Sequence, residues 1–473
     1  MAHFFRSQLA LFCFLVCFQL RGAVVSEAPP LLPPDPRYKA DLLLVVAHPD
    51  DDVVVGGYLA RIALDQHKRV AVVYCTTGDG GGNAVGYEAG ASLGKMRAIE
   101  ARRALAAYGI DNVWFLTGHD TPGQNVLWSL DNWNHGLALD EVVRIMRLTR
   151  PDVILTWLPN YVVGENHGDH QAAGVLATEA FDMAGDPVKF PEQVTAPRNR
   201  TGMMNLTEGL HVWQPKKLYY ATDAFEDFGP YWHDKKQLSP FRKNFLDGNG
   251  PSYPNTDVSP SRQKTYAVLT AEHQKYYLTQ EGYLALDAFR NNDFSGFNYP
   301  TRLIFGKSLV GGSTTGDVFE NVTEKPIRFV KARGFEPRPE QGLSVELAGP
   351  WGFYREFWKA HNLENLAALI PVPEVAIRFG NKLNIPLTIH NFTNRSAEMT
   401  ITAALPSGWT NEMKYAAYPL KPGESYPVEA TILPPVKGEP KWNEITWTAE
   451  SAGREAGSVT MRVYVSNEGS LPQ

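Results

Sequence analysis

Between residues 41 and 184 the chain alternates two patterns, and this alternation limits its fold more than any other feature. Asp41 to Ala47 (DLLLVVA), Arg69 to Thr76 (RVAVVYCT), Val113 to Leu116 and Val153 to Trp157 are continuous apolar runs of strand length. Between them, Asp52 to Gln66, Leu93 to Tyr108, Leu139 to Leu148 and His170 to Ala184 read at helical spacing. A strand apolar on both faces must be covered on both faces, so the alternation predicts an α/β fold with a mostly parallel sheet between helices. In such sheets ligands bind beyond the carboxyl ends of the strands, and the residues just after each strand are where chemistry is expected.

Further along, Lys217 to Thr222 (KLYYAT) predicts another strand of this sheet, and Gln263 to Phe289 a long helical stretch broken once near Gly282. Beyond Val372 the pattern changes. Short alternating segments (Leu383 to Ile389, Met399 to Ala404, Tyr426 to Ile432, Ser458 to Val465) separated by Pro, Gly and Asn predict a small all-β sandwich over 373–467. The expected division is a first domain over 39–320, a connecting region over 321–372, and the sandwich.

Residues 1–26 read as a signal peptide: Arg6 supplies a positive start, Leu9 to Leu20 an apolar stretch, and Val24-Val25-Ser26 a cleavage site. The apolar run is short for a bilayer, so export with cleavage is expected, to a secreted or periplasmic location, with no transmembrane segment afterwards. Residues 27–38 form a proline-rich spacer. Lys and Arg number 45 against 51 Asp and Glu, a net charge of -6, with no basic run. A nucleic-acid partner is not expected from that balance. Three Cys exclude a disulfide-built scaffold, and Cys75, within VAVVYC, reads as a small buried apolar residue.

Two clusters carry the chemistry. The first strand runs into Ala47-His48-Pro49-Asp50-Asp51-Asp52. Three contiguous acids beside a histidine repel one another unless a cation sits among them, and Asp51 or Asp52 is placed to cap the following helix. The second cluster, His167-Gly168-Asp169-His170, opens a later helix at the same sheet edge. Two histidines and one aspartate make a three-ligand metal site with an open position, of a kind that suits zinc or Fe(II).

AHPDDD after the first strand, TTGDGGG (Thr76 to Gly82) after the second and HGDH after a later one resemble the PIG-L/LmbE-like deacetylase family. Arg97-Ala98-Ile99-Glu100 and KLYY add to the likeness. The resemblance implies a Rossmann-like sheet and a zinc-dependent amidase that removes acetyl or other acyl groups from N-acylated amino sugars. By position it implies His48, Asp51 and His170 as metal ligands, Asp50 as general base, and His167 as the group that polarises the carbonyl and stabilises the oxyanion. Asp52 stands where that family usually has Glu. The segment Val375 to Val465, with LTIHNFTN, LPSGW and LKPGES, resembles the NPCBM-associated immunoglobulin-like modules of secreted carbohydrate enzymes, with an implied role in spacing, docking or weak glycan contact.

The mechanism built from the residues agrees. Asp50, beside Asp51, is placed to take a proton from water and pass it to the leaving amine. A protonated His167 would face the developing oxyanion, and Asp169 is a candidate to orient a histidine. Arg97, Asp79, Asp120 and His273 are candidate substrate contacts. A non-catalytic glycan-binding protein is the competing reading, and intact Asp50 and His167 argue against it. A dinucleotide-binding oxidoreductase lacks its GxGxxG loop.

Overall fold

The computed structural model describes residues 33–160, 167–195, 210–222, 248–329, 331, 341–367, 369 and 372–469. The expected signal peptide lies outside the described residues. Strands β1 (Leu42–Val46), β2 (Val70–Thr76), β3 (Asn112–Gly118), β4 (Val153–Trp157) and β5 (Lys217–Ala221) run parallel in the order β3-β2-β1-β4-β5. Every residue of β1, β2, β4 and β5 is buried, as continuous apolar runs require. From β1 the sheet grows outward to β3 in one direction, then through β4 and β5 in the other. The reversal between β1 and β4 opens a crevice at their carboxyl ends, and both candidate clusters are tethered there.

The helices that cover the sheet are α1 (Gly56–Ala60), α2 (Ala91–Ala106), α3 (Val126–Asn132), α4 (His135–Thr149) and α5 (Gly168–Met183). The helix expected over Asp52 to Gln66 is irregular: a 3₁₀ turn (Asp51–Val55), α1, and a π turn (Arg61–Asp65). Val53-Val54-Val55 is a β-branched run that resists regular helix. Gly57 lies so close to its neighbours that a Cβ there would meet Asn255 Oδ1 at 2.0 Å. The expected aspartate cap is not made; Asp50 occupies the cap position with no side-chain bond to the helix.

A two-stranded ribbon, β6 (Ser252–Tyr253) with β7 (Thr301–Arg302), brackets α6 (Tyr266–Gln274) and α7 (Gly282–Asn291). The break expected near Gly282 is the segment 275–281. Strand β8 (Ile304–Ser308) closes the sheet antiparallel to β5. IFGKS, with Gly306 and Lys307, gave no strand signal. No helix among the described residues is long and apolar enough to cross a membrane.

The C-terminal unit is all β. Its strands are β9 (Leu343–Leu347), β10 (Glu374–Arg378), β11 (Leu383–Asn391), β12 (Ala397–Ala404), β13 (Thr410–Met413), β14 (Tyr418–Leu420), β15 (Ser425–Leu433), β16 (Lys441–Ser451) and β17 (Arg454–Ser466). One sheet has the order β10-β17-β16-β12-β14 and the other β13-β15-β11-β9, enclosing a core that includes Ile385, Leu387, Trp447 and Val463. Strand β9 (Leu343–Leu347) pairs with β11 (Leu383–Asn391), so this unit takes in a strand upstream of the expected boundary at 373. Its neighbour in sequence, α8 (Pro350–Ala360), buries Tyr354, Phe357 and Trp358 in the core of the first domain instead. The expected connecting region is therefore divided between the two cores. A strand recognised by a distant partner carries little local signal of where it belongs.

Candidate active site

The turn after β1 brings its carboxylates into distinct settings. Asp51 folds back onto the backbone: its Oδ2 accepts from Ala47 N at 2.8 Å, His48 N at 2.9 Å and Trp157 Nε1 at 2.6 Å. With Oδ2 saturated, Oδ1 faces His170 Nε2 at 3.2 Å and His48 Nδ1 at 3.6 Å. The other nitrogen of His48, Nε2, donates to Asp169 Oδ2 at 3.3 Å, and Thr121 N donates to the same oxygen at 2.7 Å. Asp169 therefore orients His48, with Nδ1 left toward Asp51, as a carboxylate–histidine pair behind a metal ligand does. Asp169 Oδ1 and His170 Nδ1 are buried with no hydrogen-bond partner among the described residues.

Asp50 is held at φ 111°, a strained conformation for a residue with a side chain, and its carboxyl lines the cavity. Burial, then repulsion from Asp51, pushes its pKa well above the ordinary carboxylate range. For Asp51 burial works the other way from His170 and His48, and the two imidazoles win, holding it well below that range. Burial likewise opposes charge on His48, but the Asp51 and Asp169 carboxylates hold it well above 6.5.

His167 stands at the N-cap of α5, where its Nδ1 accepts from Asp169 N at 3.4 Å. Burial, then His170 and His48, lowers its pKa to about 2. These surroundings favour the neutral imidazole over the protonated one. With Nδ1 accepting, its single proton belongs on Nε2, which remains a hydrogen-bond donor. His167 and His170 stack at 4.2 Å, and His170 stacks on Trp157 at 4.1 Å. Nitrogens of His48, His167 and His170 also lie within 4.8 Å of one another, as do ligand atoms of His48, Asp120 and Asp169.

These groups lie in a cavity of about 1040 Å³ that extends past Arg97 and Asp120 to α7. Arg97 donates to Gly78 O at 2.8 Å and Gly82 O at 2.7 Å, so it holds the glycine-rich loop while lining the cavity. A Cβ at Gly81 would meet its guanidinium at 2.6 Å, which explains the glycine. Asp120 accepts from Thr76 Oγ1 at 2.6 Å and Gly80 N at 2.9 Å, and lies 3.8 Å from His48 Nε2.

Two expected contacts lie elsewhere. Asp79 is not on the cavity; it accepts from His119 Nδ1 at 3.0 Å and Asp120 N at 3.2 Å, bracing the loop. His273 is not on it either. Fully buried, it donates through Nε2 to Asp52 Oδ2 and stacks on Tyr108. Asp52 also accepts from Tyr74 OH at 2.8 Å and Tyr277 OH at 2.6 Å, so this acid is anchored away from the site. Trp157 and Tyr277, which the sequence marks only as parts of a strand and of a helical stretch, hold Asp51 and Asp52 in place. The position of Trp157 at the carboxyl end of a central strand is the signal that marks it; Tyr277, in an irregular segment, offers none.

Residues 43–181 match the family profile described as PIG-L, GlcNAc-PI de-N-acetylase. The chain is 31% identical over 214 residues to a 1D-myo-inositol 2-acetamido-2-deoxy-alpha-D-glucopyranoside deacetylase 1 of Catenulispora acidiphila, covering 41% of this chain and 58% of the relative. It is 34% identical over 187 residues to the deacetylase of corresponding name from Rhodococcus erythropolis, covering 34% of this chain and 62% of the relative. The matches thus span about three fifths of these relatives. Among solved structures, the N,N'-diacetylchitobiose deacetylase of Pyrococcus horikoshii aligns over 60% of this chain and 87% of its own, at 16% identity and a TM-score of 0.37. Residues 43–181 of this chain are a PIG-L domain, set on a mostly parallel sheet and followed by an all-β unit.

Proposed function

We propose that the chain is an exported, metal-dependent amidase that removes the N-acetyl, or another N-acyl, group from amino-sugar substrates. One observation carries the reading: the free oxygen of Asp51 faces both His170 Nε2 and His48 Nδ1, with the Asp50 carboxyl beside them in a cavity. Two imidazoles and a carboxylate oxygen with no proton donor between them other than the imidazoles fit a divalent cation, with zinc first and Fe(II) as the alternative. The family profile and the two relatives are named for removing acetyl from an N-acetylated glucosamine, and that shared chemistry defines the substrate class proposed.

His48, Asp51 and His170 would hold the ion, which when bound polarises the amide carbonyl and lowers the pKa of water to about 7. Asp50, as the carboxylate, takes the proton of the attacking water and returns it to the departing amine nitrogen, and its raised pKa makes it the stronger base. The Nε2–H of His167 donates to the oxygen on which charge develops, and as a neutral donor it needs no counter-charge. Arg97 and Asp120, on the cavity wall, offer a donor and an acceptor for sugar hydroxyls.

The test is acetate release from a panel of N-acetylhexosamine glycans with elemental analysis of the same sample. Asp50→Asn keeps shape and volume but removes the basic oxygen, so the metal stays and the rate falls by roughly 10²- to 10⁴-fold. Wild-type turnover in that variant would place the base elsewhere. Sugar binding with no acetate released from any glycan would favour the binding-protein reading.

A further inference from the structure

Helix α8 follows the β9 strand of the C-terminal unit after two residues, with Gly349 at φ 64° in the turn and Pro350 opening the helix. Its aromatic face leaves that unit and enters the core that surrounds the candidate site. Tyr354, 1% exposed, donates its hydroxyl to Gln171 Oε1 at 2.8 Å. Trp358 Nε1 donates to Pro159 O at 3.2 Å, two residues beyond Trp157. Lys307 donates to Asp182 at 2.6 Å and to His361 O at 2.8 Å, which fastens the far end of the helix to α5.

Gln171 is the residue after His170 and is fully buried. Its Nε2 donates to Gln124 O at 3.4 Å, on the cavity wall formed by residues 120–124. The same wall is joined to the start of α5 by Gly168 N to Gly123 O at 2.9 Å and by Thr121 N to Asp169 Oδ2 at 2.7 Å. A run of hydrogen bonds therefore leads from Tyr354, through Gln171, to both the His170 turn and the opposite wall. Tyr354, Gln171, Asp169 and Thr121 are buried, where a lost partner is costly, and Gln124 is half-buried.

We propose that Tyr354 is a positioning residue for the site, acting through Gln171, and that the all-β unit, joined to α8 through β9, belongs to the framework of the site. The proposal rests on the deacetylase reading for its effect on rate, but not for its effect on local order. The tests use the full chain. Tyr354→Phe keeps the ring and removes one hydroxyl, and a four-glycine insertion between Ala348 and Gly349 uncouples β9 from α8. Both should speed amide exchange in residues 120–124 and 168–171 while circular dichroism stays as in wild type. In Tyr354→Phe, kcat on a small soluble N-acetyl sugar should fall about 3- to 10-fold with KM little changed.

Wild-type exchange in both segments of Tyr354→Phe would overturn the role of Tyr354. Wild-type exchange in the insertion variant would overturn the coupling of the all-β unit. Because exchange is read without turnover, a wild-type protein that releases no acetate would defeat the deacetylase reading alone.

Discussion

Trp157 Nε1 donates to Asp51 Oδ2 at 2.6 Å, joining the last residue of β4 to the turn after β1 across the point where the strand order reverses. The indole thereby fixes which oxygen of Asp51 is spent on the protein and which is left for a ligand. Its face also supports His170, stacked at 4.1 Å. Trp157→Phe keeps most of that stacking and removes the donor. Outer-shell losses of this kind cost 10- to 100-fold in metal affinity, and that is the outcome expected here. Competition with a chromophoric chelator checks it; affinity equal to wild type would mean that the backbone donors alone hold Asp51.

The sheet was legible because its strands are buried on both faces. LLLVV and VAVVYCT have no polar face to hide, and their alternation with amphipathic stretches leaves few other folds. His48, Asp50, Asp51, His167 and His170 were legible for a related reason: they follow strands that flank the reversal of order. Where a side chain points was not. Asp79 and Asp120 lie in comparable loops, yet one braces a loop and the other lines the cavity. The role of α8 was hidden because it depends on contacts across some 180 residues. Its own signal was present: Pro350 at the first turn, then Trp351, Tyr354 and Phe357-Trp358 at helical spacing.

His273 belongs to the support beneath the site. His273→Leu removes the Nε2 donor to Asp52 while Tyr74 and Tyr277 still donate to that acid. Removing one partner from a buried acid costs about 2–4 kcal/mol, so the thermal midpoint should drop by several degrees. KM for an N-acetyl sugar should change by less than about twofold, since His273 lies off the cavity. The reverse pattern, an unchanged midpoint with a tenfold higher KM, would return His273 to the substrate.

His135, the first residue of α4, pairs with Glu179 on α5, Nε2 to Oε2 at 2.5 Å. That hydrogen bond outweighs burial and raises the histidine pKa above 6.5. A histidine with a raised folded-state pKa stabilises fully below its unfolded value, and the contribution disappears as pH rises through the folded one. The destabilisation caused by His135→Ala should therefore be larger at pH 5.5 than at pH 9. Urea midpoints of both proteins at the two pH values measure the difference, and a gap that widens with pH would show that the pair does not titrate as described.

Apart from the His48, Asp120 and Asp169 group, the described residues offer two sets of ligand atoms that share His48 and His170, one with Asp51 and one with His167 as the third member. The geometry favours Asp51. Its Oδ2 is saturated by three N–H donors and its Oδ1 faces both imidazoles, whereas His167 already has a task. Its Nδ1 accepts from Asp169 N at the start of α5, so its proton sits on Nε2, and a protonated nitrogen has no lone pair for a metal. Ligation through Nε2 would require the other tautomer and the loss of the cap. His167→Asn separates these roles, because asparagine caps a helix well but offers no second ring nitrogen. That variant should keep about one metal ion per chain and lose roughly 10²- to 10³-fold in rate, as when one oxyanion donor is removed. Asp51→Asn should lose the metal. Elemental analysis of the two variants beside wild type, followed by acetate release, decides between the sets. Metal lost in His167→Asn and retained in Asp51→Asn would transfer the third ligand position to His167 and leave the oxyanion without its proposed donor.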